Sequence, residues 1–278
     1  KANNGWQGMP HHGLADVNSS NKAQIESCAK CHARRGFVHP GHHVGSKFLD
    51  HFLPEVAQPW APDMSAPTYH VDGQIDDEVY VFGSFIQSKM FHKGVKCADC
   101  HDPHTARTYA KGNQLCMRCH SPKPDNLTLY DSPAHHFHPM GTKGAQCVEC
   151  HMPEKTYMVV DPRRDHSIRI PRPDLSVKYG TPNACNQCHE DKDAAWAAAK
   201  VEEFKGPNRP REVRHPEAFH AFRNRKPEAE KLLLDTVRDL ESPSFTRSGA
   251  LLALRRFLGP ASFAEARVRA SDPDPVLR

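Results

Sequence analysis

Cysteine and histidine spacing determines the chemistry that this sequence can do, because all ten cysteines fall in copies of one motif, C-x-x-C-H. The five copies are Cys28/Cys31/His32, Cys97/Cys100/His101, Cys116/Cys119/His120, Cys147/Cys150/His151 and Cys185/Cys188/His189. In such a motif two thiols can bond to the vinyl groups of one haem, and the next residue places an imidazole on its iron. We therefore predict five covalently attached haem c groups, each with a motif histidine as iron ligand.

Two other chemistries use C-x-x-C pairs. Such a pair can be half of a zinc site, or a thioredoxin-like dithiol that forms disulfides. Neither requires a histidine directly after the second cysteine, and zinc would leave some histidines at looser spacing. The repeated C-x-x-C-H pattern therefore favours haem attachment.

Composition predicts the fold that holds these motifs. Hydrophobic residues make up 38% of the 278 residues, and there are 24 prolines, which indicates a loop-rich chain with few apolar side chains for a core. We predict a mainly α fold with much irregular loop, in which residues 1–206 form a pentahaem cytochrome c domain wrapped around its haems. Motifs two and three begin only nineteen residues apart, so their haems should be stacked or nearly in contact.

Local patterns predict the elements around the motifs. A helix covers NKAQIESCAKCHARRG and ends at Gly36, EVYVFGSF is a short strand, and IQSKMFH is helical. Prolines break residues 97–152 into single turns, and residues 153–184 are extended. A longer helix opens at Cys185 and runs through AAWAAAKVEEF.

Residues 207–278 contain no cysteine and have a different pattern. Apolar residues recur at helical spacing, as in Leu232, Leu233, Val237 and Leu240, and prolines and glycine mark the turns. This pattern predicts a second domain of α-helical hairpins of the HEAT or TPR type. Such a domain offers a docking surface for a redox partner or for further copies of the chain.

The second axial ligand of each iron must come from elsewhere, and fifteen histidines lie outside the motifs. Histidine is the usual second ligand of a c-type haem that only transfers electrons. His104 follows His101 by three residues on a short helix, and His166 lies between Asp165 and several arginines that could meet propionates. The full set of candidates is His104, His166, His70, His138, His92 and His135. We expect loop or surface positions for His39, His42, His43, His51, His215 and His220.

Charge and hydropathy limit the partners. The formal charge of +4 does not include the haem propionates, which make the loaded protein near neutral or acidic, so nucleic-acid binding is not implied. No stretch is long enough for a transmembrane helix. Thioether attachment occurs outside the cytoplasm, so we expect a periplasmic or extracellular protein. No signal peptide is visible, and we expect this chain to be part of a longer polypeptide.

Long segments of the sequence resemble a family of large multihaem cytochromes c, related to the cytochrome c-prime and hydroxylamine-oxidoreductase-like group, with TPR or HEAT repeats at the C-terminus. The resemblance covers most of residues 25–205. The resemblance rests on segments that include ESCAKCHARR, GVKCADCHDPH, HHFHPMGTKGAQCVECHMP, TYMVVDPRRDHSIRIPRPDLS and GTPNACNQCHEDKDAAW. It implies electron transfer outside the cytoplasm and iron ligands among His104, His166, His70 and the HHFH cluster. It also implies about three further haem motifs before residue 25, in a longer octahaem chain.

These patterns support two functions from different classes. The first is electron transfer between other redox proteins through closely spaced, mostly bis-histidine haems, with no catalytic residue. The alternative is an oxidoreductase that binds nitrite, hydroxylamine or a similar small molecule at one open haem, with Tyr157, Tyr179, Arg163 and His70 as the nearest proton donors. The excess of histidines favours electron transfer.

Overall fold

Short helices joined by irregular segments make up most of the chain. The computed structural model describes residues 21–43, 46–56, 67–209 and 215–278. Its helices are α1 Asn21–His32, α2 Val81–Ile86, α3 Lys89–His92, α4 Asn113–His120, α5 Pro133–His136, α6 Cys147–His151, α7 Pro173–Tyr179, α8 Ala194–Lys205, α9 Pro216–Arg223, α10 Ala229–Arg238, α11 Ser244–Leu254 and α12 Pro260–Arg269. Single 3-10 turns lie at Phe48–Asp50, Cys97–Asp99, Lys143–Ala145 and Cys185–Gln187.

Two antiparallel hairpins supply the strands of the described residues. Strands β1 (Arg35–Phe37) and β2 (Phe52–Pro54) pair with Arg35 opposite Pro54. Strands β3 (Glu154–Tyr157) and β4 (Asp161–Arg164) pair with Glu154 opposite Arg164. The second hairpin directly follows the fourth motif and leads the chain to His166.

Each haem motif lies on a short element. The first ends α1, the third ends α4 and the fourth forms α6, whereas the second and fifth begin on 3-10 turns. Proline explains why these elements are short, because Pro122 follows α4 closely and Pro133 starts α5. Short elements with many turns let five motifs approach one another within one segment.

A continuous hydrophobic core lies outside the segment that carries most motifs. It combines residues of the 25–86 segment with residues of α9, α10 and α11. Tyr69 and Phe245 join the two halves with ring centroids 5.3 Å apart, and both are fully buried. Residues 97–205 contribute no fully buried member to this cluster. The shortage of apolar core expected from composition is therefore found in the segment between the second and fifth motifs, and the main core lies elsewhere.

The last helices pack as neighbours along the chain. Helix α10 contacts both α9 and α11, and its Leu233 and Val237 are fully buried. Arg238 at the end of α10 pairs with Glu265 of α12 at 2.7 Å. The helical pattern that the sequence predicts after residue 207 is present, although the core crosses the predicted domain boundary.

Several local expectations from the sequence are wrong. The first helix ends at His32 rather than at Gly36, because Gly36 lies in strand β1. EVYVFGSF is not a strand, because Phe82, Phe85 and Ile86 have helical spacing and lie on the buried side of α2. The helix after the fifth motif begins at Ala194 rather than Cys185, because the Asp193 side chain accepts a hydrogen bond from the Trp196 amide and caps it there.

The segment 153–184 is not extended throughout, since it forms the β3–β4 hairpin and α7. His215 is not a surface residue, because the helical segment packs it against the Asp72 loop and leaves 6% of it exposed.

Candidate haem-ligation site

Three motif histidines each face a second histidine. The ring centroids are 6.4 Å apart for His101 and His166, and 6.2 Å apart for both His151–His135 and His189–His138. The interplanar angles of the three pairs are 28°, 13° and 35° in the same order. The distances within these three pairs allow a test of whether each pair could hold a haem iron.

The separations match two ligands of one metal. A ligating ring nitrogen lies about 2 Å from a bound metal and about 1.2 Å from its own ring centroid, so two imidazoles that would hold one metal have centroids at most about 6.4 Å apart. The residues present therefore fit a haem iron between the two rings of each pair.

Hydrogen bonds fix the orientation of three of these rings. The Nδ1 of His166 lies 2.9 Å from the Arg164 carbonyl oxygen, and that of His151 lies 2.9 Å from the Arg169 carbonyl oxygen. The Nδ1 of His138 lies next to the His136 carbonyl oxygen. A carbonyl only accepts, so each Nδ1 carries the proton and each Nε2 keeps its lone pair for a metal.

Burial favours the neutral form of His151, His166 and His135. Burial lowers the pKa of His151 and of His166. For His135, burial is the larger cause and the nearby Lys205 charge the smaller one, and together they lower its pKa to about 4. A neutral imidazole is the form that binds a metal. The electrostatics of the site therefore suit ligation.

His135 is held differently from the other rings. Lys205 of α8 donates from Nζ to the His135 carbonyl oxygen at 2.8 Å, and the same Nζ lies 3.3 Å from His135 Nδ1. The Lys205 ammonium also lies over the Phe137 ring, 4.8 Å from its centroid. The His135 ring therefore faces a cation at the atom where the other three rings face a carbonyl.

The first three motifs are linked in the order of the sequence. Gln24, in the helix of the first motif, accepts a hydrogen bond from the Ala98 amide inside the second motif at 3.0 Å. A hydrogen bond between the Cys28 and Cys97 thiols lowers the pKa of Cys28 to about 7. Arg118, inside the third motif, donates to the Asp99 carbonyl oxygen of the second at 2.9 Å.

The last three motifs continue this order. Asn113 at the start of α4 accepts from the Cys147 amide at 2.8 Å, and the Cys116 thiol hydrogen-bonds that of Cys147. Gln187, inside the fifth motif, donates to the Glu154 carbonyl oxygen just after the fourth at 3.0 Å. Each motif or the residues beside it thus hydrogen-bond the next segment along the chain.

The ten cysteines form no disulfide. Within the described ranges no group of three or more His, Cys, Asp or Glu side chains converges as a metal cluster. The motif thiols instead lie beside helices and turns, partly or fully exposed: Cys28, Cys31, Cys97, Cys100, Cys116, Cys119, Cys147, Cys150, Cys185 and Cys188.

Three candidate ligands from the sequence are not placed opposite a motif ring. His104 lies in a turn, not in a helix, because Asp102 accepts a hydrogen bond from its amide and another from Thr105. The Nε2 of His70 lies 3.3 Å from Asp76 Oδ1 and is thus engaged. His92 is exposed at the end of α3 with its ring against Phe91.

His32 and His120 have different surroundings from the paired motif histidines. Both are exposed, and the His120 ring meets Tyr130 edge-on with centroids 5.9 Å apart. In residues 21–43, 46–56, 67–209 and 215–278, no second imidazole faces either ring at the spacing found for the three pairs. The sequence also contains His11 and His12, which lie outside the described residues.

A cavity of about 210 Å³ gathers three of the proton donors considered for an enzyme. His70, Tyr157 and Arg163 line it, together with Lys155 and Asp76, whereas Tyr179 lies elsewhere. Burial raises the pKa of Tyr157 well above its usual range. No motif cysteine or histidine lines this cavity, but Gln187, which lies inside the fifth motif, does.

Sequence reasoning missed two residues that shape the ligand pairs. A Cβ at Gly144 would overlap the His138 ring and lie 2.8 Å from its Nε2, so glycine is needed for the close approach. Lys205 lies 70 residues from His135 and gives no local signal in the sequence.

Comparison with known proteins gives one family match. Residues 89–125 match the family model described as the doubled CXXCH motif. A search of curated proteins finds no match. The crystal structure of the outer cell wall cytochrome OcwA is similar with a TM-score of 0.48 and 14% identity, over 87% of this chain and 60% of that chain.

In the described part of the chain, no helix is both long and apolar enough to cross a membrane. The doubled CXXCH match covers the second and third motifs and the short segments beside them. This match supports covalently bound c-type haem. It also supports the assignment of the chain to the multihaem c-type cytochromes as a class.

Proposed function

We propose that this chain is an electron-transfer protein that carries five c-type haems in the order of its motifs. The observation that carries this proposal is the set of three histidine pairs at iron-spanning distance. An iron held by two imidazoles has no free position for a substrate, so it is suited to accept and release single electrons.

The residues have defined roles toward the cofactor. Bound haem supplies one-electron redox chemistry at its iron. His101 and His166 would hold the second haem, His151 and His135 the fourth, and His189 and His138 the fifth. The carbonyls of Arg164, Arg169 and His136 orient three of these six rings.

The contacts between motifs support a linear arrangement. At each of the four junctions a side chain of one motif segment hydrogen-bonds the backbone of a neighbouring one. Attachment sites joined in this way hold their cofactors close together and fix their spacing. The first and fifth motifs then form the two ends at which donor and acceptor proteins exchange electrons.

The test is low-temperature EPR of the oxidised, haem-quantified protein and of the His166→Ala variant. We expect the variant to lose one low-spin ferric signal and gain one high-spin signal, because alanine leaves one side of that iron unligated. A His220→Ala variant, which changes a histidine bonded to Asn224 instead, should keep the wild-type spectrum. An unchanged spectrum for His166→Ala would contradict the assigned pair.

A second function rests on His32 and His120. Neither ring faces an imidazole among the described residues, so the first or third haem is the place for an open iron. We propose nitrite or hydroxylamine as its ligand class. A high-spin signal in the wild-type protein that nitrite or hydroxylamine converts would favour this enzyme over a pure electron carrier. Five low-spin haems would exclude it.

Location and partners follow from the same chemistry. Thioether attachment outside the cytoplasm supports an exported protein, periplasmic or extracellular, with other redox proteins as partners. Residues 216–278 expose Leu240 and Leu258 in loops and Phe263 and Val268 on α12, which supports a docking role for this segment. Fractionation of the source cells and crosslinking of the purified protein test both points.

A further inference from the structure

Lys205 occupies an unusual place beside one of the ligand pairs. It ends α8, and Phe204 next to it stacks on Phe137 with centroids 4.2 Å apart. This contact sets the end of α8 against the segment that carries His135. The Lys205 Nζ then bonds the His135 carbonyl oxygen at 2.8 Å and lies 3.3 Å from His135 Nδ1.

The charge of Lys205 is not cancelled by an ion pair with its helix neighbours. Glu203 bonds Lys200 at 2.7 Å, and Glu202 lies 3.6 Å from Arg209 Nε. The groups that contact Lys205 Nζ in the described residues are a carbonyl oxygen, an aromatic face and the His135 ring. A carbonyl and an aromatic face both suit an ammonium ion.

The neighbouring ligand rings have the opposite environment. His151, His166 and His138 each direct Nδ1 to a backbone carbonyl, which makes an imidazole more basic and a better ligand for ferric iron. A charged Lys205 can only donate a hydrogen bond, so it offers the Nδ1 of His135 no acceptor of the kind that the other three rings have. His135 is therefore the weaker donor of its pair.

We propose that Lys205 is a tuning residue that raises the reduction potential of the haem held by His135 and His151. Reduction removes one positive charge from the iron, so a nearby ammonium favours the reduced form. The weaker donation by His135 acts in the same direction. This inference rests on the proposed function, because it requires that pair to be iron ligands.

The experiment is a spectroelectrochemical titration of the loaded full chain in wild type, Lys205→Gln, Lys205→Arg and Lys200→Gln. We expect Lys205→Gln to shift the midpoint of a single haem to lower potential. Lys205→Arg should keep the wild-type midpoint because it keeps the charge. Lys200→Gln makes the same charge change on the same helix and should move no midpoint.

Three outcomes would overturn the inference. They are unchanged midpoints in Lys205→Gln, an equal shift in Lys200→Gln, or a new high-spin EPR signal in Lys205→Gln. The last would show that Lys205 only holds His135 in position.

A His135→Ala variant separates this inference from the proposed function. Conversion of one haem from low to high spin supports the ligand pair, and an unchanged spectrum overturns both proposals. If that variant converts a haem but Lys205→Gln shifts no midpoint, only the role of Lys205 fails.

Discussion

Individual ring nitrogens and small side chains determine whether a histidine in this chain can reach an iron. His166, His151 and His138 have Nδ1 anchored on a carbonyl, whereas His70 has Nε2 next to Asp76. Residue type is the same in all four. The difference lies in which nitrogen is left free, and this depends on contacts of less than 3.5 Å.

Gly144 allows His138 to approach the fifth motif. We expect Gly144→Ala to push the His138 ring away from His189, because the added Cβ would overlap ring atoms. EPR of the oxidised variant should show one low-spin haem fewer and a high-spin signal. Gly36→Ala is the matched control, since its Cβ would meet only the Leu53 carbonyl oxygen at 3.9 Å. Equal spectra for both variants would contradict this role of Gly144.

His215 makes folding sensitive to acid. Burial lowers its pKa to about 4 from an ordinary value of 6.5. Between these values the unfolded chain binds a proton that the folded chain does not, so stability falls as pH decreases from 6.5 to 4, by up to about 3 kcal/mol. The free energy of urea unfolding, followed by far-UV circular dichroism at several pH values, measures this slope.

The variant His215→Leu should lose this part of the pH dependence, because leucine has no proton to bind. His220→Leu, a change at a partly exposed residue in the helix that begins directly after His215, should keep it. Identical slopes for wild type and His215→Leu would show that His215 is not the group responsible.

At the scale of elements, the motifs are held by side chains that cross from one short element to the next. The Asn113 side chain is one of these links and makes three hydrogen bonds. Its Nδ2 donates to Asp131 at 2.7 Å and to the Ala145 carbonyl oxygen at 2.8 Å, and its Oδ1 accepts from the Cys147 amide. Helices of four to eight residues cannot be stable alone, so such links and the cofactors must hold them.

We expect Asn113→Ala to lower the free energy of unfolding by about 2 kcal/mol, because it leaves the part-buried Ala145 carbonyl and Cys147 amide without partners. Asn126→Ala removes the same side chain at an exposed site, where it bonds Tyr130, and should cost clearly less. Denaturant midpoints of the two loaded variants provide the measurement. Equal costs would mean that the Asn113 link does not stabilise the junction of the third and fourth motifs.

At the scale of the whole molecule, the apolar core and the haem motifs occupy different parts of the chain. The core joins residues 25–86 to the helices α9–α11, and the segment between them holds four of the five motifs. The C-terminal helices therefore do more than extend from a finished domain. They bury Tyr69 and the apolar side of α2.

Phe245 tests this shared core. Phe245→Ala should cost about 3–5 kcal/mol, because a fully buried ring is lost against Tyr69. Leu258→Ala, at a residue that is 78% exposed, should change stability by about 0.5 kcal/mol or less. We expect one cooperative unfolding transition in each protein, since residues on both sides of position 206 belong to one cluster. Two separate transitions would favour the independent domains predicted from the sequence.

The sequence by itself determined the chemistry of attachment. Two cysteines and a histidine within five residues need no tertiary contact to act on one haem, so the ten cysteines and five motif histidines could be identified directly. The helical pattern after residue 207 was also readable, because amphipathic spacing is local. His166, His138 and His135 could be proposed as ligands from residue type and neighbours.

Only the tertiary structure decided which histidines face each other and what surrounds them. His166 is 65 residues from His101, and Lys205 is 70 residues from His135, so neither contact leaves a local pattern. His104, favoured by its position after His101, lies in a turn closed by Asp102. His215 looked like a surface residue until packing on the Asp72 loop buried it. The physical reason is the same for His166, Lys205, His104 and His215. The contacts of each depend on distance and orientation between separate elements, which spacing along a chain does not encode.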